Sequence, residues 1–344
     1  MVDFLTLDTD TLRHMQKQLT LKYENFKQKK LKLNMSRGKP CSEQLDLSSG
    51  LLESLNRNYQ AEDGTDCRNY GGLGGLPEAR RLFAELLEVQ PDEIIVHGNS
   101  SLALMHDLIT RALIFGVDGQ EAPWGQQPIK FLCPSPGYDR HFAICEFYNI
   151  EMITIPIRED GPDMDLVEKL VATDETIKGI WCIPKYSNPT GVTYSDQVVT
   201  RLARMKTKAP DFRIFWDNAY AWHDLSSDPV PLKNILTACK EANHPDRVYI
   251  FSSTSKITYA GAGLAMVASS VPNINRLKKQ MGIQTIGPNK LNQLAHIRFF
   301  KNAQNVRLHM KKHAAVLRPK FDLVLNLLET ELGGKKIGSW SRPQ

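Results

Sequence analysis

Residues 247–256 form the segment Arg-Val-Tyr-Ile-Phe-Ser-Ser-Thr-Ser-Lys, a short apolar run followed by hydroxyl-bearing residues and Lys256. Such a run is typical of a buried strand, and ligands of open α/β sheets bind beyond the carboxyl ends of the strands. Hydroxyls and backbone amides at such a turn can hold a phosphate. A desolvated lysine has a lowered pKa, and its neutral amine can condense with an aldehyde. Taken alone, the segment equally fits a Ser/Thr-rich turn with a solvated lysine.

Six further runs share this composition of Ile, Val and aromatic residues. They are Ile94 to His97, Ile129 to Cys133, Glu151 to Ile157, Ile177 to Ile183, Phe212 to Trp216 and Gly263 to Ala268. Most are almost continuously apolar, and helical patterns such as Leu102 to Phe115 and Gln197 to Lys206 separate several of them. Continuous apolar strands alternating with helices predict an α/β fold, with a mainly parallel seven-stranded sheet between helices.

The bulk properties favour a two-domain enzyme. A chain of 344 residues exceeds what one hydrophobic core usually serves. The net charge of +5 is spread along the chain, which argues against a nucleic-acid partner. The six cysteines lie too far apart in sequence for a zinc site or a redox dithiol, so no metal is expected. No apolar stretch could span a bilayer and the first residues lack a basic leader, so we expect a cytoplasmic protein without a membrane partner.

Polar residues also follow two other predicted strands. Asp217 ends the run from Phe212, and Tyr220 comes three residues later. The turn Asn188-Pro189-Thr190-Gly191 follows the run from Ile177. Separately, Asp217 would be explained as a helix N-cap and the second segment as an ordinary turn.

The ordered set of Asn-Pro-Thr-Gly, Asp-x-x-Tyr and Ser-x-Ser-Lys resembles the fold-type I aminotransferases, the aspartate aminotransferase superfamily. The resemblance extends to a bacterial branch that carries Ser-Arg-Gly-Lys-Pro, here residues 36–40. It implies pyridoxal 5'-phosphate as cofactor, held by Lys256 as a Schiff base. It further implies that Asp217 pairs with the pyridine nitrogen, so that the ring withdraws electrons. Asn188 and Tyr220 would hydrogen-bond the phenolic oxygen of the ring, making Lys256, Asp217 and Tyr220 the catalytic set.

The same resemblance assigns the rest of the cofactor site. The phosphate would bind where a helix begins after the first strand, and the stacking aromatic residue would follow the second strand. The residues concerned are Asn99, Ser100, Ser101, Ser253 and Ser255 for the phosphate, and Tyr138 for stacking on the ring. A simple serine N-cap and a core tyrosine are the alternative explanations.

Tyr70 corresponds to a residue that, in this superfamily, crosses to the neighbouring subunit and touches its cofactor phosphate, which implies a homodimer with shared active sites. Gly38 resembles the position that contacts the substrate carboxylate, and the resemblance implies that Asn188 also contacts the substrate. Arg140 and Lys290 are candidate cations for a distal carboxylate, although most surface cations are simply solvated.

The pattern departs from the superfamily in three ways. Leu264 stands where many members place a phosphate-binding arginine, and no arginine occurs in the segment 286–288 that would contact a distal carboxylate. The superfamily's small domain extends beyond the equivalent of residues 338–343 and carries the arginine that binds the α-carboxylate, so we expect a C-terminally truncated chain. The expected domains are 1–36, an N-terminal helix of the small domain; 37–272, the cofactor-binding large domain; and 273–344, an incomplete small domain.

The predicted reaction moves an amino group from an amino acid, with aspartate as first choice, to 2-oxoglutarate by a ping-pong mechanism. Amino acids and 2-oxo acids are thus the expected substrates. Another fold-type I reaction, such as β-elimination or decarboxylation, would use the same constellation. The alternative that is not an enzyme is a pyridoxal-phosphate-binding regulator or pseudoenzyme.

Overall fold

The computed structural model describes residues 4–33, 38–117, 122–334, 338 and 340. Residues 36 and 37, where the first domain boundary is predicted, lie outside this part, as do residues 341–344. The helices are α1 Thr9–Gln28, α2 Ser42–Asp46, α3 Pro77–Leu87, α4 Ser101–Phe115, α5 Asp139–Phe147, α6 Met164–Thr173, α7 Asp196–Arg204, α8 Ile235–Glu241, α9 Val271–Gln284, α10 Lys290–Phe300 and α11 Ala303–Leu332. The strands are β1 Ile94–Val96, β2 Lys130–Ser135, β3 Glu151–Arg158, β4 Gly161–Pro162, β5 Ile177–Cys182, β6 Arg213–Asp217, β7 Val248–Ser253 and β8 Ala265–Ala268.

The strands form one sheet in the order β1-β8-β7-β6-β5-β2-β3-β4. From β7 through β3 neighbouring strands are parallel, while β8 is antiparallel to both of its neighbours. The predicted α/β class and the seven predicted strands are confirmed. The eighth strand is the short β4, which pairs with the end of β3. A two-residue strand carries no apolar run that a sequence pattern could reveal.

The sheet separates two hydrophobic cores because successive strand residues point to opposite faces. Ile214 and Trp216 of β6 belong to the core covered by α3, α6, α7, α8, α10 and α11, whereas Phe215 between them belongs to the core under α4, α5 and α9. Both faces are therefore buried, as expected for parallel strands.

The helix predicted at the beginning of the chain is present. The apolar spacing of residues 11–30 predicts an amphipathic helix, and α1 is indeed helical, but none of its residues is buried. Leu19, Tyr23 and Phe26 are all more than half exposed. No helix among the described residues is long and apolar enough to cross a membrane.

A buried ion pair links β5 to the loop before β6. The Lys178 ammonium donates to Asp211 Oδ1 over 2.7 Å, and the Trp124 indole donates to Asp211 Oδ2 over 2.8 Å. Both charged side chains are almost fully buried, 9% and 2% exposed. A buried charge that loses its partner is strongly destabilising.

Asp211→Ala is therefore expected to lower the free energy of unfolding by about 3–5 kcal/mol, since it leaves the Lys178 ammonium buried without a counter-charge. Urea unfolding followed by circular dichroism measures the change. Asp228→Ala, at an exposed position, is the control and should stay within about 0.5 kcal/mol. Equal midpoints for the two variants would contradict the role of the buried pair.

Candidate active site

The predicted site residues follow strands whose carboxyl ends meet at one edge of the sheet. The parallel strands β2, β5, β6 and β7 are consecutive neighbours in the order β7-β6-β5-β2. They lead into the segments that carry Tyr138, Asn188, Asp217 and Lys256. The parallel pairing thus brings residues up to 118 positions apart in sequence, counted from 138 to 256, to the same side of the molecule.

Asp217 is the last residue of β6 and is 5% exposed. His141 Nε2 lies 3.1 Å from its Oδ2. Within the described part of the chain, the other oxygen, Oδ1, is buried without a hydrogen-bond partner. The residue does not begin a helix, so the N-cap interpretation is wrong. Buried carboxylate oxygens are normally satisfied, and an oxygen without a protein donor is a position where a bound group with an N–H could donate.

Sequence patterns missed His141. It lies on α5 and its ring stacks on the indole of Trp181, with 4.5 Å between centroids and 12° between planes. The Tyr138 ring meets the imidazole edge-on at 5.2 Å. These contacts fix the imidazole, and the imidazole in turn fixes the orientation of the Asp217 carboxylate.

Lys256 and Tyr220 lie together beside this carboxylate. The lysine Nζ is 4.9 Å from the centroid of the Tyr220 ring. Burial lowers the pKa of Lys256, and the nearby charge of Asp217 partly opposes that shift. Burial and the same carboxylate, with a further contribution from Tyr138, raise the pKa of Tyr220 to about 12. At neutral pH the phenol keeps its proton and can donate, while the amine is easier to deprotonate than an exposed lysine.

The predicted phosphate residues gather at the beginning of α4. Gly98 has φ of +68°, a conformation that favours glycine, and it turns the chain from β1 into the helix. Ser100 is the N-cap, since its Oγ accepts from the Ala103 N–H over 3.2 Å. Ser255 Oγ donates to the Asn99 carbonyl over 3.3 Å, so the loop after β7 contacts the loop after β1. The serine N-cap is thus real, and it leaves other first-turn amides free to meet an anion.

A second group missed from sequence joins the loops after β5 and β6. The Lys185 ammonium lies 2.6 Å from Asp224 Oδ1 and donates to the Ala221 carbonyl over 3.2 Å. The Tyr186 hydroxyl donates to the same Asp224 oxygen over 2.7 Å. These bonds fix the half-buried Asn188 turn relative to the segment that carries Tyr220.

The remaining predicted residues differ in how far each is exposed. Tyr70 is 80% exposed, on a loop held by Lys290, which donates to the carbonyls of Asn69 and Gly71. The Lys290 ammonium is therefore engaged in bracing the loop. Arg140 is half-buried on α5, and Gly38 is exposed. Ser253 is buried at the end of β7 and Ser101 is half-buried in the first turn of α4.

Several buried histidines surround the lysine loop. Burial lowers the pKa of His223 to about 3 and the pKa values of His296 and His313 to about 4, from an ordinary value of 6.5. Between the lowered pKa values and 6.5, the unfolded chain binds more protons than the folded chain. The free energy of unfolding therefore decreases on acidification through this range.

We expect full stability above about pH 6.5 and a progressive loss as the pH falls toward 4, because the buried imidazoles resist protonation while the unfolded ones accept it. Urea unfolding at pH 8, 6.5 and 5 measures the dependence. His313→Gln removes one of these groups and should reduce the slope between pH 6.5 and 5. A stability that is the same at pH 7 and pH 5 would refute the expectation.

Comparisons with known proteins agree with this geometry. The family model described as aspartate amino-transferase matches residues 7–344. A Mycolicibacterium smegmatis protein provisionally named an aminotransferase is 49% identical over 347 residues, covering 100% of this chain and 81% of that protein. The crystal structure of an aspartate transaminase from Corynebacterium glutamicum has 44% identity and a TM-score of 0.95, covering 99% of this chain and 81% of that one.

A more distant structure shares the fold. It is an alpha-aminoadipate aminotransferase from Thermus thermophilus, complexed with N-(5'-phosphopyridoxyl)-L-leucine, with 20% identity and a TM-score of 0.70 over 89% of this chain and 73% of that one. The family model and the sequence relatives establish the family, and the residues at the strand ends agree with it. The chain belongs to the aspartate aminotransferase family and is an aminotransferase of fold type I.

Proposed function

We propose that this chain transfers the amino group of aspartate or a similar amino acid to 2-oxoglutarate by a ping-pong mechanism, with pyridoxal 5'-phosphate held by Lys256. The observation that carries the cofactor assignment is the Asp217 carboxylate: one oxygen is bound by His141, and the other is buried without a donor among the described residues. A protonated pyridine nitrogen supplies such a donor. The residues present therefore fit the cofactor.

The other contacts would be made by groups already near this carboxylate. The Lys256 amine would hold the aldehyde carbon, the Tyr220 hydroxyl and the Asn188 amide would donate to the ring's phenolic oxygen, and Tyr138 would stack on the ring. The amides and hydroxyls at 99–101, with Ser253 and Ser255, would bind the phosphate at the helix N-terminus. When bound, the cofactor supplies an aldehyde that condenses with amines and a ring that withdraws electrons from the substrate α-carbon.

The chain's own residues move the proton. Because burial lowers the pKa of Lys256, its amine would accept the α-proton of the substrate more readily than an exposed lysine and then donate it again, acting first as base and then as acid. Asp217 would keep the pyridine nitrogen of the bound cofactor protonated, and His141 holds that carboxylate in place. Tyr220, whose pKa is raised to about 12, remains a donor throughout.

The proposal extends to substrate contacts and assembly. Gly38 and Asn188 would contact the α-carboxylate region, and Arg140 would meet a distal carboxylate. We further propose a homodimer, supported by the 80% exposure of Tyr70 on a braced loop. Residues 37–272 would form the cofactor-binding domain, since every strand of the described residues lies between residues 94 and 268, with 1–36 and 273–344 in the smaller domain.

A single-turnover assay tests the reaction. The full chain is loaded with pyridoxal phosphate, mixed with one amino acid at a time, and followed by the loss of yellow colour and by analysis of the products. Aspartate is expected to discharge the colour and release one equivalent of oxaloacetate without ammonia, and 2-oxoglutarate should restore the colour. Release of ammonia or carbon dioxide would indicate a lyase or decarboxylase. A colour that no amino acid changes would refute the proposal.

A further inference from the structure

Two histidines of α11 converge on the backbone beside the lysine. His309 and His313 are one helical turn apart, and both are buried. The Nε2 atoms of both lie 2.9 Å from the carbonyl oxygen of Ile257 and 3.2 Å from each other. Ile257 directly follows Lys256. Helix α11 thus binds the backbone of Ile257, the residue next to Lys256.

The protonation of this pair follows from its partners. A carbonyl oxygen can only accept, so both Nε2 atoms are assigned as donors. Gln44 Nε2 lies 3.2 Å from His313 Nδ1 and donates to it, which fits a neutral imidazole. Ser48 Oγ lies 3.4 Å from His309 Nε2. Burial lowers the pKa of both histidines, so the pair is uncharged near neutral pH.

The same turn is held from a second helix. His296 of α10 lies with its Nε2 3.0 Å from Thr258 Oγ1 and 3.3 Å from Thr254 Oγ1. Its Nδ1 is 2.8 Å from the Asn292 carbonyl. Imidazoles from two helices therefore bind the turn 254–258, which contains Lys256. The turn also closes on itself, because the Ile257 and Thr258 amides both donate to the Thr254 carbonyl over 2.9 Å.

We propose that His309 and His313 are positioning residues, which fix the backbone at Ile257 and thereby hold the half-buried Lys256 side chain beside Asp217 and Tyr220. The inference rests on the proposed role of Lys256 in holding the cofactor. It adds that α11 sets the orientation and the solvation of that amine through two hydrogen bonds to one oxygen. Neither histidine touches the reacting atoms.

The groups near Lys256 determine whether loss of the two histidines raises or lowers the pKa of its amine. Burial lowers the pKa of the amine, the Asp217 carboxylate acts in the opposite direction, and neutral His223 lies nearby. Without the His309 and His313 donors, the turn 254–258 loosens and water reaches the Lys256 amine. The desolvation penalty then shrinks, so the pKa of Lys256 rises toward that of an exposed lysine.

The double variant His309→Leu/His313→Leu removes both donors and keeps apolar bulk. His309→Gln/His313→Gln retains a donor near each Nε2 position and is the conservative rescue. Met310→Leu, buried on the same helix without a hydrogen bond to Ile257, is the matched control. Trace acetic anhydride labelling of the full chain without added cofactor, read by mass spectrometry across a pH series, gives the pKa of Lys256 in each protein. Activity with aspartate is measured after loading with pyridoxal phosphate.

The Leu pair is expected to raise the Lys256 pKa by about one unit and to lower kcat about tenfold, with KM changing less than about twofold. The Gln pair should recover most of both effects, and Met310→Leu should show neither. An unchanged Lys256 pKa in a folded Leu variant would overturn the inference. If the double Leu variant does not fold, the single Leu and Gln variants decide by the same shift. Failure of pyridoxal phosphate to label Lys256 in the unmodified chain would instead refute the proposed function.

Discussion

Lys256→Ala is expected to lower kcat/KM with aspartate by about 10⁴-fold or more, since one side chain supplies both the covalent attachment and the proton transfer. The fold should survive because the side chain is only partly buried and makes no ion pair among the described residues. Asp217, whose charge acts on this amine, would still bind the ring nitrogen. Some affinity for pyridoxal phosphate should therefore remain after the chemistry is lost.

The control for this change is Lys279→Ala, which removes an exposed lysine of α9 and should leave kcat within about twofold. Borohydride reduction of the loaded chain followed by peptide mapping is the independent measurement. The label should fall on the peptide containing residue 256 in the unmodified chain and be absent in the Lys256→Ala variant. A label on another lysine, or activity within tenfold of the unmodified chain, would show that the amine has been assigned to the wrong residue.

The strand-end residues could be predicted from sequence because two independent patterns coincide at them. The apolar runs mark buried parallel strands, and parallel strands bring their carboxyl ends to one edge, so the polar residues after each run must gather there. This pattern predicts Asp217 and Lys256, and the sheet order confirms that their strands are neighbours. The cofactor contacts themselves stay predictions.

The residues behind the site could not be predicted because tertiary packing brings them there. His309 and His313 are 52 and 56 positions from Ile257, and at one-turn spacing on a helix they are explained equally well as core residues. His141 lies on α5, where apolar and charged residues are not separated onto different faces, so the sequence shows no helical periodicity that would mark His141 as buried. Helix α1 shows a different limit, since its apolar spacing predicts the helix correctly but does not reveal that none of its residues is buried.

Asp217→Asn is the second change expected to have a very large effect, lowering kcat/KM by about 10³-fold. The amide has the same shape, and His141 can still donate to its oxygen. The other end then presents an N–H₂ donor where the carboxylate presents the buried oxygen Oδ1. A ring nitrogen facing a donor is not kept protonated, so the ring withdraws electrons poorly and the α-proton is released slowly.

The measurements for Asp217→Asn are kcat and KM with aspartate and the dissociation constant of pyridoxal phosphate, obtained by equilibrium dialysis. Asp228→Asn, at an exposed position, is the matched control for loss of one carboxylate charge. His141→Leu leaves the carboxylate charged but free to turn, so its loss should be smaller, about tenfold. The proton on the ring nitrogen depends on the charge of Asp217, whereas His141 only fixes the orientation of that carboxylate. The loss of kcat/KM should therefore be much larger for Asp217→Asn than for His141→Leu. An Asp217→Asn variant within tenfold of the unmodified chain would mean that this carboxylate does not meet the ring nitrogen.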